Sequence, residues 1–143
     1  MKIMSVDSGK VRTGIAISDT GESFAFPNCV ITEYNEEKLA GRIVDKAKEL
    51  SAELIVVGHP KNMDGSEGFR AKECAELAQK IETLGGIKTV LFDERCTTVS
   101  AHTVLNFNDV KGKKRKKSVD AVAAVMILED YLAFRKNTKG EDI

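Results

Sequence analysis

Between two amphipathic segments the chain reads ELIVVGHP, and Leu54 to Val57 are apolar without interruption. A strand with one wet face alternates apolar and polar residues, whereas a short unbroken apolar run closed by Gly-His-Pro marks a strand covered on both faces. Such a strand belongs in the middle of a parallel sheet, and a parallel sheet needs helices on each side to cover it. The run IKTVLF, residues 87–92, is expected as another buried strand. An α/β protein follows.

Period and punctuation place the other elements. Ile3 to Val6 and Gly14 to Ser18 read as two strands that turn around Ser8-Gly9-Lys10. Phe24 to Ile31 is a third, and Pro27 confines it to an edge or a bend. Three strands so close in sequence suit an antiparallel meander. After Asn35, a helix cap, Leu39, Ile43, Ala47 and Leu50 recur at spacings of three and four, the pattern of an amphipathic helix. A polar loop, NMDGSEG, precedes a second helix carrying Cys74, Leu77, Ala78 and Ile81 and ending at Gly85-Gly86. A helix over about Thr98 to Asn106, a basic loop, and a last helix from Ser118 to about Arg135 complete the order β-β-β-α-β-α-β-α-α. A meander followed by alternation implies a mixed sheet with helices on both faces. With no repeat and no linker, the 143 residues are expected to form one domain, 1–143.

Lys+Arg and Asp+Glu both total 22, so net charge gives no argument for a nucleic-acid partner, and any such argument must come from local clusters. No apolar run approaches the ~18 residues of a membrane helix, and Met1-Lys2 leads straight into a strand, so a soluble, cytoplasmic protein is expected. Cys29, Cys74 and Cys96 are odd in number and far apart, which fits reduced thiols rather than a disulfide framework or a zinc site. His59 and His102 are too few for a histidine metal site. His59 ends a strand and could line a cleft, but a lone histidine is more often incidental and stays outside the expected site.

Ligands of open α/β sheets bind beyond the carboxyl ends of the strands, where strand order reverses. Three strand ends carry candidates: Asp7, Gly58-His59-Pro60, and Asp93-Glu94-Arg95. Asp120 adds a fourth acid in the first turn of the last helix, where the helix dipole alone would explain it. Asp7 by itself could be a turn former. Taken together, carboxylates without histidine or cysteine companions suit Mg²⁺ or Mn²⁺. Two such ions ~3.5–4 Å apart clamp the attacking and leaving oxygens of a phosphoryl displacement. The run KGKKRKK, Lys111 to Lys117, is either a solvated loop or a contact to a phosphate backbone. Arg12 and Arg95 suit phosphate, which guanidinium matches bidentately.

Four stretches, VDSGKVRTGIAISD, VVGHPKNMDGSEG, FDERCTT and VDAVAAVMILEDYL, occur in an order and spacing that resemble the YqgF (RuvX) family. Its members are bacterial RNase-H-like nucleases, proposed to process the precursor of 16S rRNA at its 5′ end and related in fold to Holliday-junction resolvases. The resemblance runs from Lys2 to about Phe134. It implies an RNase H-like, five-stranded mixed sheet of order 3-2-1-4-5, with the first three strands antiparallel. It also implies a hydrolase of phosphodiester bonds whose catalytic and metal-binding acids are Asp7, Glu94 and Asp120, with Asp93 in reserve. Adjacent strand residues point oppositely, so only one of Asp93 and Glu94 faces the metals. Arg12, Arg95, Lys113, Lys114, Arg115, Lys116 and Lys117 are the expected nucleic-acid contacts, on precursor rRNA or branched DNA. Resolvases cut two strands symmetrically as dimers, so a homodimer belongs to that side of the resemblance, although no face declares itself an interface. Val11, His59 and Lys61 depart from the family pattern and touch the phosphate-contacting rim rather than the acids.

Two rivals remain. ATP-binding domains of the sugar-kinase and actin type also use an Asp-x-Gly hairpin, but they need two domains around a cleft, and this length supplies one. A non-catalytic RNA-binding ribosome-assembly factor could keep the fold, although pure binding has no need of clustered acids.

Overall fold

Each apolar run becomes a strand in the computed structural model, which describes residues 1–9, 11–60, 68–93 and 113–141, the last segment with side chains at 121–137. The elements are β1 (Ile3–Ser8), β2 (Arg12–Ser18), β3 (Ala25–Thr32), α1 (Glu36–Glu49), β4 (Leu54–His59), α2 (Phe69–Gly85), β5 (Lys88–Asp93) and α3 (Lys113–Glu141). The strands form one sheet in the order β3-β2-β1-β4-β5. β2 pairs antiparallel with both β1 and β3, and the β1–β4 and β4–β5 pairs are parallel. This is the mixed, RNase H-like order expected. The expected helix near 98–106 and most of the NMDGSEG loop lie outside the described residues.

Local chemistry explains the boundaries. Asn35 caps α1, its Oδ1 accepting the Lys38 amide at 3.0 Å. α2 stops at Gly86, which takes the left-handed φ of 65° that closes a helix. Pro27 sits on the edge strand β3, and the β2–β3 register slips beside it, between Ile15 and Ala16, so the register passes over Asn28.

Alternation sorts the core onto two faces. Met4, Val6, Ile15, Ile55 and Val57 pack under α1 and α2 against Leu39, Ile43, Leu77 and Ile81. Ile3, Ala16, Leu54, Val56 and Phe92 pack under α3 against Ala124, Val125, Ile127, Leu128 and Tyr131. β4 is buried along its whole length, as its unbroken apolar run requires. β5 departs from expectation: Lys88 and Leu91 are exposed, because the strand order puts β5 at the sheet edge.

The last helix also differs. It begins at Lys113 rather than Ser118, so the backbone of Lys113–Lys117 is helical rather than a loop. Lysine and arginine are good helix formers, and neither glycine nor proline interrupts the run after Gly112. Asp120 therefore lies seven residues beyond the first helical residue, and the first turn holds no acid.

Two contacts orient α3. Ser5 Oγ donates to the Ala124 carbonyl at 2.6 Å, both groups buried. Farther along, Arg135 Nε donates to Glu22 Oε1 at 2.7 Å, while the Met1 amine lies 3.3 Å from the other oxygen of the same carboxylate. The helix thus runs antiparallel to β1, with its N-terminal half toward the end of β1 that bears Asp7.

Candidate active site

The β1–β2 hairpin sets the position of Asp7. Gly9 donates its amide to the Arg12 carbonyl at 2.9 Å, which makes these two a hydrogen-bonded pair. Such pairs alternate in an antiparallel ladder, so Asp7 and Gly14 exchange backbone bonds, whereas Ser8 and Thr13 do not. A Cβ on Gly9 would press on the Arg12 carbonyl oxygen closer than real side chains approach, so the turn requires glycine.

Asp7 shares its face with Ile3 and Ser5, and that face meets α3. Its partner on β2 is Gly14. On β4, Val57 pairs with Val6, so the residue level with Asp7 is Gly58. The carboxylate therefore stands between two positions without side chains, in a slot two strand spacings wide, about 9.5 Å. Arg12, exposed, shares the same face through its alternation with Gly14 and Ala16.

α3 completes this end. From Ser5 to Asp7 the strand advances about 6.7 Å. From Ala124 back to position 120 the helix recedes about 6 Å along its axis. The backbone at 120 is thereby brought level with Asp7. Lying beyond the first turn, Asp120 loses the explanation of a simple dipole-stabilising acid.

Of the candidate acids at the end of β5, Asp93 is described. Phe92 faces α3, its ring 5.6 Å from Tyr131 and edge-on to it. Asp93 consequently points to the other face, away from Asp7. Its register partner is His59, which is buried on the α1/α2 side. Glu94 and Arg95 lie outside the described residues, as do the side chains of Asp120 and of Lys113, Lys114, Arg115, Lys116 and Lys117. Among the described residues no three acids, histidines or cysteines form a metal-binding group. Of the thiols, Cys74 is buried and Cys29 half-buried, with burial pushing the Cys29 thiol up from its ordinary range; Cys96 is outside the described residues. A cleft of about 300 Å³ between Phe24, Phe26, Leu132 and Ala133 opens at the Glu22 end of α3, far from Asp7.

Sequence reasoning missed Arg70. It stands in the first turn of α2 and donates from Nη2 to the Ser8 carbonyl, next to Asp7, while Nη1 lies 3.6 Å from Glu73 Oε1. A cation in a first turn opposes the helix dipole by about 0.3–1 kcal/mol. α2 has no acid in that turn and no side-chain cap at Gly68. A misplaced charge of this kind was the one available signal.

The family described as "RuvX: Holliday junction resolvase" matches residues 1–134. A protein of Ruminiclostridium cellulolyticum named "Putative pre-16S rRNA nuclease" is 38% identical over 133 residues, 92% of this chain and 94% of that one. One of the same name from Bacillus subtilis is 37% identical over 134 residues, covering 92% and 97%. Among solved structures, Thermus thermophilus RuvC in complex with a Holliday junction substrate superposes with a TM-score of 0.62 at 12% identity, over 94% of this chain and 96% of that one. At that identity the likeness concerns the fold.

Proposed function

The chain belongs to the RuvX family, and from that membership we propose that it is a metal-dependent endonuclease of structured nucleic acid, acting on the 5′ end of precursor 16S rRNA. The observation that carries the reading is the slot at Asp7: a carboxylate at the end of the central strand, flanked by Gly14 and Gly58, with α3 level with it. Nothing in a binding-only domain requires an acid to be cleared of side chains on both sides.

Asp7, Glu94 and Asp120 are the residues we assign to hold Mg²⁺ or Mn²⁺, an all-oxygen set that suits hard cations. Strand alternation disfavours Asp93, because Phe92 faces α3 and its neighbour on the strand points to the other face, and we assign Glu94 in its place. Bound there, the metal supplies positive charge that offsets the phosphate's and polarises its oxygens. Arg12 and Arg95 orient a phosphate, and Lys113, Lys114, Arg115, Lys116 and Lys117 follow the backbone of the nucleic acid without reading its sequence. The helical backbone of that run supports a contact that tracks a phosphate chain rather than a slack tether. Among the described residues no helix is long and apolar enough to cross a membrane, and we assign the protein to the cytoplasm as a single nuclease domain, 1–143.

The family's description favours a second substrate, the four-way DNA junction, whose symmetric cleavage would take two copies of the chain. One panel decides between them: precursor 16S rRNA, four-way junction DNA and single strands, each with Mg²⁺ or Mn²⁺, against the parent and Asp7→Asn. Cleavage of precursor rRNA at its 5′ end, abolished by Asp7→Asn, is expected. Preference for the junction moves the assignment to the second reading, and parental cleavage by Asp7→Asn refutes both.

A further inference from the structure

The β1–β4 ladder ends before the strands do. Pairing with β4 ends at Val6–Val57, whereas pairing with β2 continues through Asp7–Gly14 and Ser8–Thr13. Because Ser8 and Thr13 are not a hydrogen-bonded pair, the backbone groups of Ser8 point the other way, toward β4, where the residue after His59 is Pro60 and has no N–H to give. A half-buried carbonyl there would lack a ladder partner. The Arg70 guanidinium supplies it, reaching across 62 residues of sequence.

We propose that Arg70 is a positioning residue for Asp7, standing in for the ladder donor that β4 does not supply at the end of β1. What Asp7 does there rests on the nuclease reading; where it is held does not. The bond is charge-assisted and so stronger than the ladder bond it replaces. The fork geometry matters, since one arm meets Ser8 while the other faces Glu73, and a lysine could serve only one partner at a time. Asp7 exchanges its backbone bonds with Gly14 of β2, so without Arg70 this end of the strand loses its hold on the β4 side and the carboxylate shifts with the hairpin.

The test is amide hydrogen exchange by NMR on the metal-free full chain, for the parent, Arg70→Ala and Arg70→Lys. The Gly9 and Asp7 amides should exchange at least ~10-fold faster in Arg70→Ala, the loss of one charged hydrogen bond. Ile55, in the middle of β4, should be unchanged, and Arg70→Lys should recover most of the protection. In cleavage assays kcat should fall about 10-fold in Arg70→Ala with KM held, because carboxylate placement is disturbed and substrate binding is not. Unchanged exchange at Gly9 overturns the proposal. So does a rise in KM with a salt slope shallower by about one, which would make Arg70 a phosphate contact. Should the parent cut no nucleic acid, the nuclease reading falls while the exchange at Gly9 still decides Arg70. Arg70→Gln, which keeps a neutral donor, replaces Arg70→Ala if the latter does not fold.

Discussion

Replacing Asp120 with asparagine separates a structural acid from a metal ligand. With α3 beginning at Lys113, position 120 lies about 10 Å along the helix axis at ~1.5 Å per residue. The ~0.3–1 kcal/mol that an acid gains from the dipole is confined to the first turn. Aspartate and asparagine have similar helix propensities, so the change should cost the metal-free protein almost nothing. For a chain of this size 1 kcal/mol corresponds to about 3–5 °C in Tm. We therefore expect a metal-free Tm within about 1 °C of the parent, or higher, since repulsion among the acids is relieved. With Mn²⁺ at about 100 times its Kd the parent should gain ~2.7 kcal/mol, or roughly 10 °C, and the variant much less. Cleavage should fall at least ~10²-fold while nucleic-acid affinity persists. Scanning fluorimetry with and without Mn²⁺, beside a cleavage time course, reads all of this. A variant that melts several degrees lower without metal, gains as much from Mn²⁺ and cuts at the parent rate would refute the reasoning.

Changing Lys113, Lys114, Lys116 and Lys117 together to alanine should weaken all nucleic acids about equally and flatten the salt dependence of binding, as titrations at several salt concentrations would reveal; unchanged affinity at low salt leaves the run a solvated helix start. Mg²⁺ and Mn²⁺ should support turnover, while Ca²⁺ binds without supporting it because the larger ion misplaces the reacting oxygens; full activity in excess EDTA would exclude this. Gly9→Ala should cost about 1–3 kcal/mol, as the new Cβ forces the hairpin off the Arg12 carbonyl. A Tm equal to the parent's would show that the turn yields to a side chain without strain.

The sheet was legible because its information is local. The unbroken run at Leu54–Val57 announced a strand buried on both faces, Pro27 announced an edge, and Asn35 announced a cap. β5 was misjudged because an apolar run says what a strand could bury, whereas exposure depends on whether another strand follows it in the sheet. The start of α3 was misjudged because a dense positive run reads as solvated loop, although each residue from Lys113 to Lys117 favours helix and only their mutual repulsion opposes it. Asp7 was readable as a strand-end acid. Its clearance by Gly58 was not, since that needs the β1–β4 register. Arg70 was the least readable, because the carbonyl it holds lacks a ladder donor only where the β1–β4 pairing ends.

The bond from Ser5 to Ala124 joins residues 119 apart in sequence. It means that β1 meets α3 only after more than a hundred further residues have been made. While the chain is being made, β1 can already find β2 and β3, but the partner that brings α3 level with Asp7 has not yet emerged. If Asp7 and Asp120 act together as proposed, the nascent enzyme is harmless to the RNA around it, including the ribosome producing it. Its cutting edge is assembled only once α3 is free to dock on β1.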